Sequence, residues 1–391
     1  MSRVTLPDPP DELKQLSESL CALIRQEIKS RGPIPFSRYM EMALYQPGLG
    51  YYSAGLHKLG EAGDFVTSPE LGSLFAGCLA RQIEQTAQQL GEYDILEIGA
   101  GSGRLAADLL QLLDEDQLPA RYMILDRSAD LRQVQREHIA SIAPALLGRV
   151  EWLDQAPQEP WQGVLLANEV IDALAVERFQ ASDSTGLEQL CVGHTNDGFQ
   201  WESRPAPSYL ADALDALGVE FPGLYRSEIN LQLFPWLEAM TAGMQRGLAL
   251  FIDYGYPRRE YYLDQRNDGT LICHYRHRAH DDVFFWPGLQ DITAFVDFTL
   301  LAEASVQCGL ELEGYTSQAM FLLGCGLDEV LAEQTALSKD GGLALHAQVR
   351  HLTLPGMMGE RFQIMGLSRD LGRDPGFELK GFSLLDLSHR L

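Results

Sequence analysis

The segment that most constrains this chain is Asp94-Ile95-Leu96-Glu97-Ile98, which runs straight into Gly99-Ala100-Gly101-Ser102-Gly103 and then into a helically spaced stretch over 104–113. A buried strand that turns into a helix through alternate glycines admits few architectures. The glycines let the chain reverse tightly and bring backbone N–H groups against a ligand at a helix N-terminus. Further along, the chain keeps the same rhythm: strands over 121–125, 149–153 and 163–167, with a helix over 129–139. Strands separated by helices of this length imply βαβ units and a parallel, doubly wound α/β sheet. A helix over 231–244, a strand over 247–252, a helix over 292–308 and a late strand over 361–367 extend the pattern.

Before this region, Leu13, Leu16, Leu20, Leu23, Ile24 and Ile28 fall on one helical face, and Gly32 and Pro33 end the run. A second short helix is expected over 36–44, then a loop rich in glycine (Gly48, Gly50, Gly55, Gly60, Gly63) that suits a lid. Ser68-Pro69-Glu70 has the chemistry of a helix start, with a hydroxyl, then proline, then an acid, and the helix should run to Leu90 before Gly91. The alternation over 187–192 suggests added strands inside an insertion. The expected organisation is a helical N-terminal segment and lid over 1–67 and a core over 68–391, with insertions at about 176–230 and 256–330.

Composition narrows the partners. The chain has 391 residues, and 55 acids against 30 bases leave a formal charge of −25. That charge repels nucleic acid and anionic lipid, so neither is an expected partner. It suits a cationic ligand or a basic protein. No apolar run approaches the roughly 20 residues of a membrane span. The first residues carry neither a secretory apolar stretch nor an Arg-rich presequence, so the expected location is the cytoplasm. The six cysteines are scattered with no CxxC pair. Cys273, His274, His277 and His280 cluster in sequence, but their spacing does not converge on a helix, so no metal is expected. His274 is read instead as lining a polar loop.

The glycine turn itself points to a ligand class. A dinucleotide fingerprint needs a third glycine at position 104, where this chain has Arg104. The G-x-G-x-G spacing, with Glu97 two residues before Gly99, fits S-adenosylmethionine better than a nicotinamide dinucleotide, because there is no pyrophosphate to cradle. Asp126, ending the next strand, is placed to accept from both ribose hydroxyls or, alternatively, to cap the following helix. Asp154, after the third strand, is placed to accept from an adenine amino group or to be a surface acid. Asn168, Glu169 and Asp172 come directly after the fourth strand and should line the mouth of the crevice. They read either as helix-capping groups or as an acceptor site, and paired carboxylates suit a guanidinium.

Taken together, these motifs resemble the family of S-adenosylmethionine-dependent methyltransferases that includes the mitochondrial complex I assembly arginine methyltransferase and its bacterial MidA-like relatives. The resemblance rests on Gly32-Pro33-Ile34, Tyr39-Met40, Pro47, Gly50-Tyr51-Tyr52 and the run from Gly63 through Glu70. It continues through the glycine turn, Asn168-Glu169, Asp172-Ala173-Leu174 and Ile252-Asp253-Tyr254-Gly255. Asp291-Ile292-Thr293, Val296-Asp297-Phe298, Ser317-Gln318, Phe321-Leu322 and Met358-Gly359 with Phe362 complete it. It implies a class I, Rossmann-like methyltransferase fold, S-adenosylmethionine as cofactor and a protein arginine as acceptor, and it leaves a homodimer open. On this reading Asp64, Phe65, Thr67, Glu97, Gly99, Gly101, Gly103, Asp126, Asp154 and Asn168 bind the cofactor. Glu169 holds the guanidinium, assisted by Asp172 or Asp253. The alternatives are a factor that binds the cofactor without essential catalysis and a methyltransferase of a small molecule.

Overall fold

A computed structural model describes residues 6–54, 68–338, 342–372 and 377–391. The chain divides into two compact units. One draws on Met1–Phe65, Asp172–Leu233 and Arg258–Phe295, the other on Val66–Ile171, Phe234–Pro257 and Val296–Leu391.

The second unit holds the sheet. Its seven principal strands, labelled in chain order, are β1 (Asp94–Ile98), β2 (Tyr122–Leu125), β3 (Val150–Leu153), β4 (Trp161–Asn168), β5 (Met244–Tyr256), β6 (Glu311–Ser317) and β7 (Phe362–Arg369). They lie in the order β6-β7-β5-β4-β1-β2-β3, with the two-residue strand Val296–Asp297 pairing to β5. β1 to β5 run parallel, and β7 lies antiparallel between β5 and β6. All five residues of β1 are buried, as a strand in mid-sheet must be. The connecting helices include α1 (Ser73–Leu90), α2 (Arg104–Leu112) and α3 (Ala129–Ile142). The chain order reverses between β1 and β4, so their carboxyl ends border the crevice where open α/β sheets bind ligands. This is the Rossmann-like doubly wound sheet that the sequence predicts.

Two helices depart from expectation for local reasons. Ser68 does not cap a helix. Its hydroxyl donates to Gln318 Oε1 (2.9 Å), Pro69–Leu71 forms one 3₁₀ turn, and Gly72 at φ +140° interrupts the chain before α1 begins. The segment 292–308 is not one helix. Asp291–Thr293 and Val296–Asp297 are strands, and the Asp297 carboxylate accepts from the N–H groups of Thr299 and Leu300 (3.0 and 3.1 Å), fixing the start of Phe298–Gln307.

The other unit contains the added strands. Gly186–Thr195 pairs with Ile34–Pro35, Glu177–Ser182 and Gly198–Pro205, and Tyr225–Ile229 pairs with Glu177–Ser182. A second, three-stranded sheet is built from Ile272–Tyr275, Arg278–His280 and Asp291–Thr293. Helices Asp11–Arg31 and Phe36–Tyr45 supply Leu20, Ile24, Phe36, Tyr39 and Met40 to the core of this unit, with Val192 and Ile292 from the strands and Val176 just before the strand Glu177–Ser182. The buried Tyr39 hydroxyl donates to Val283 O (2.8 Å), so its polar atom is not left unpaired.

Candidate functional site

At the carboxyl ends of the central strands the burial pattern changes. β1 is fully buried, yet Gly99 directly after it is exposed and Gly101 is half-buried. Gly99, Gly101 and Gly103 all take left-handed backbone angles (φ +68°, +54° and +79°), which glycine adopts without the steric cost of a side chain. A Cβ at Gly103 would sit 2.9 Å from the Gln135 Cα, so close approach as well as conformation requires glycine there. The Gly99 N–H donates to Leu125 O (3.0 Å), and the Gly103 N–H closes the turn on Ala100 O (2.7 Å). Ser102 Oγ donates to Glu70 Oε1, tying the residues before α1 to the turn.

Glu97 lies beneath this turn. Its carboxylate is buried and accepts from the Tyr122 hydroxyl (2.7 Å). Burial, reinforced by the nearby charge of Asp126 and opposed by the Tyr122 hydrogen bond, pushes its pKa up to about 7.

Asp126 comes after β2 and stays half-buried. Oδ1 accepts from the Ser128 N–H (2.9 Å) and Oδ2 from the Gln135 side-chain amide (2.7 Å). Burial raises its pKa, while these hydrogen bonds and Arg132 lower it. The Ser128 hydroxyl, not Asp126, caps α3 by accepting from the Leu131 N–H. Asp154 after β3 is exposed and pairs with Arg132 Nη2 (2.7 Å). The same guanidinium donates to the backbone oxygens of Asp126 and Leu153, so it pins the ends of β2 and β3 together. Arg132 and Gln135 belong to no sequence motif. The available signal was that both lie within ten residues of Asp126, on the helix just after it.

After β4, Asn168 Nδ2 donates to Glu169 Oε1 (3.1 Å), while Asn168 Oδ1 is buried with no hydrogen-bond partner among the described residues. Glu169 takes φ +54°, uncommon for a residue with a side chain, and its N–H donates to Ile252 O on β5 (2.8 Å). Strain of this kind clusters at working sites. Asp253 on β5 is buried, and its carboxylate accepts from the backbone N–H groups of Ile171 (3.0 Å) and Tyr254 (2.9 Å). Asp172 falls in the other unit, where its carbonyl accepts from the Ala294 N–H (3.0 Å). The second unit thus brings together the glycine turn, Glu97, Asp126, Asn168, Glu169 and Asp253. Asp64, Phe65 and Thr67 lie outside the described residues.

An adenosyl ligand fits this crevice. Gly99 is exposed at the end of β1, Asp126 offers an anchored carboxylate, and Asn168 offers a buried acceptor with no partner among the described residues. His274 lies on the hairpin Ile272–Tyr275/Arg278–His280, and burial, with His280 beside it, lowers its pKa to about 4. Among the described residues no group of three or more His, Cys, Asp and Glu side chains is placed to hold a metal ion, and no helix is long and apolar enough to cross a membrane.

A family described as S-adenosyl-L-methionine-dependent methyltransferases matches residues 78–316. A protein from Burkholderia thailandensis, crystallised bound to S-adenosyl-homocysteine, is 42% identical with a TM-score of 0.91, and the match covers 99% of this chain and 100% of that one. The protein arginine methyltransferase NDUFAF7 homolog, mitochondrial, of Drosophila melanogaster is 28% identical over 403 residues, spanning 92% of this chain and 89% of its own. Its human counterpart is 27% identical over 387 residues, spanning 87% and 81%. The Drosophila and human relatives correct one expectation. They are named as mitochondrial, which overturns the cytoplasmic placement. Acidity and the make-up of the first residues do not fix a compartment.

Proposed function

The chain belongs to the family of S-adenosyl-L-methionine-dependent methyltransferases, and from that premise we propose that it methylates an arginine nitrogen of a protein substrate. The relatives named as protein arginine methyltransferases support the acceptor class. The observation that carries the reading is Glu169. Its carboxylate comes just after a central strand, in a left-handed conformation anchored by Ile252 O and by the amide of Asn168.

The roles are set by the chemistry. S-adenosylmethionine supplies an electrophilic methyl group on a sulfonium. Gly99, Gly101 and Gly103 admit it close to the backbone, with Asp126 as ribose acceptor and Asn168 as a further polar contact. Asp154, exposed and paired with Arg132, is the weaker adenine contact of this reading. A guanidinium is a poor nucleophile while its charge is delocalised over three nitrogens. Glu169 pairs with it, orients it for in-line attack and concentrates electron density on the attacking nitrogen. Asp253 assists through the backbone that it holds at Ile171 rather than by touching the acceptor. The formal charge of −25 favours a basic protein segment as the acceptor.

The test is transfer of labelled methyl from S-adenosylmethionine to a basic protein fraction, followed by acid hydrolysis. Label in methylarginine is expected. Label confined to other residues or to small molecules overturns the proposal.

A further inference from the structure

Gln135 is a fully buried polar residue that the motifs do not account for. Its Nε2 donates to Gly101 O (3.0 Å) and to Asp126 Oδ2 (2.7 Å), and its Oε1 accepts from Trp152 Nε1 (2.9 Å). Both amide hydrogens and the carbonyl are therefore engaged, as burial of an amide demands. The three partners are the glycine turn after β1, the acid after β2 and a side chain of β3. One residue of α3 thus ties together three consecutive strand ends on one side of the crevice. The Arg136 guanidinium packs over the Trp152 ring (4.1 Å to the centroid) and braces the third partner.

For Asp126 this has a directional consequence. One carboxylate oxygen is held by the Ser128 N–H and the other by Gln135, from opposite ends of the group. A carboxylate oxygen accepts about two hydrogen bonds. Each oxygen therefore keeps capacity for one more donor, in an orientation fixed before any ligand arrives.

We propose that Gln135 is a positioning residue for the cofactor: it locks the Asp126 carboxylate in the orientation that receives the two ribose hydroxyls, and couples that orientation to the glycine turn. This rests on the reading of Asp126 as the ribose acceptor. An apolar residue of similar volume would fill the same space, so packing alone gives no reason for an amide here.

The test is calorimetric binding of S-adenosyl-homocysteine and of its 2′,3′-dideoxy analogue to the full chain. In Gln135→Leu and Gln135→Glu, affinity for S-adenosyl-homocysteine should fall about tenfold, the cost of one misplaced charge-assisted hydrogen bond. Affinity for the dideoxy analogue should stay within about twofold, so the preference for the hydroxyls collapses. The glutamate variant keeps the Trp152 acceptor and supplies the result where the leucine variant does not fold. Equal weakening of both ligands, or none, overturns the inference. The comparison with Asp126→Asn separates the two readings. Loss of the preference there but not in the Gln135 variants removes the positioning role and leaves Asp126 as ribose acceptor. Retained preference in Asp126→Asn removes both.

Discussion

The buried carboxylate of Asp253 accepts the backbone N–H of Ile171 at 3.0 Å, joining β5 to the residues just after β4. Two residues earlier, the Glu169 N–H donates to Ile252 O, so adjacent positions of β5 grip both sides of one short loop. The acid that motif reading places beside the acceptor is thus engaged in shaping the loop that carries Glu169.

Asp253→Ala should leave the Ile171 donor buried and unmet. About 2 kcal/mol of stability should be lost in denaturant unfolding. Turnover should fall more than tenfold while affinity for S-adenosyl-homocysteine stays within about threefold. Wild-type turnover in this variant would show that the loop does not depend on Asp253.

Glu169→Gln keeps an acceptor for the Asn168 amide but removes the charge. Calorimetric affinity for S-adenosyl-homocysteine should change by less than about twofold. Methyl transfer should slow about a hundredfold, the scale of losing one electrostatic contact to the reacting group. An undiminished rate would remove Glu169 from the chemistry.

Glu97 makes stability depend on pH. Its folded pKa of about 7 lies above the ordinary carboxyl value, so the folded state holds the proton more tightly than the unfolded chain. The resulting stability is complete below the unfolded pKa and is lost as pH rises through 7. Gln at this position does not titrate. From pH 5 to pH 8, wild type should lose about 2 kcal/mol relative to Glu97→Gln. Parallel unfolding curves at the two pH values would contradict the burial of this group.

Gly103→Ala should be costly twice over. A left-handed alanine costs about 1–2 kcal/mol, and its Cβ would meet the Gln135 backbone at 2.9 Å. Displacement of Gln135 should carry Asp126 with it, so affinity for S-adenosyl-homocysteine should fall together with the melting temperature. A variant that binds as wild type would show the contact to be tolerant.

Much of this was written locally. The alternation from Asp94 onward, the glycines at 99, 101 and 103 and the acid after β2 specify a strand–turn–helix repeat through backbone conformation and burial alone. Such signals need no knowledge of distant residues. The helix break at Gly72 and the strands before Phe298 were missed because they depend on partners far along the chain. Ser68 bonds to Gln318 instead of capping, and Ile292 joins a sheet through Cys273.

The site divides in the same way. Sequence determined which groups are present: a glycine turn after β1 and a set of carboxylates in or just after the strands. Tertiary structure decided what each carboxylate faces. Glu97 is turned inward onto Tyr122, Asp253 onto the Ile171 backbone and Asp154 onto Arg132, while Asp126 is gripped by Gln135. A carboxylate takes its role from the donors within about 3 Å of it. In a parallel sheet those donors come from strands and helices tens of residues apart, which no local pattern records.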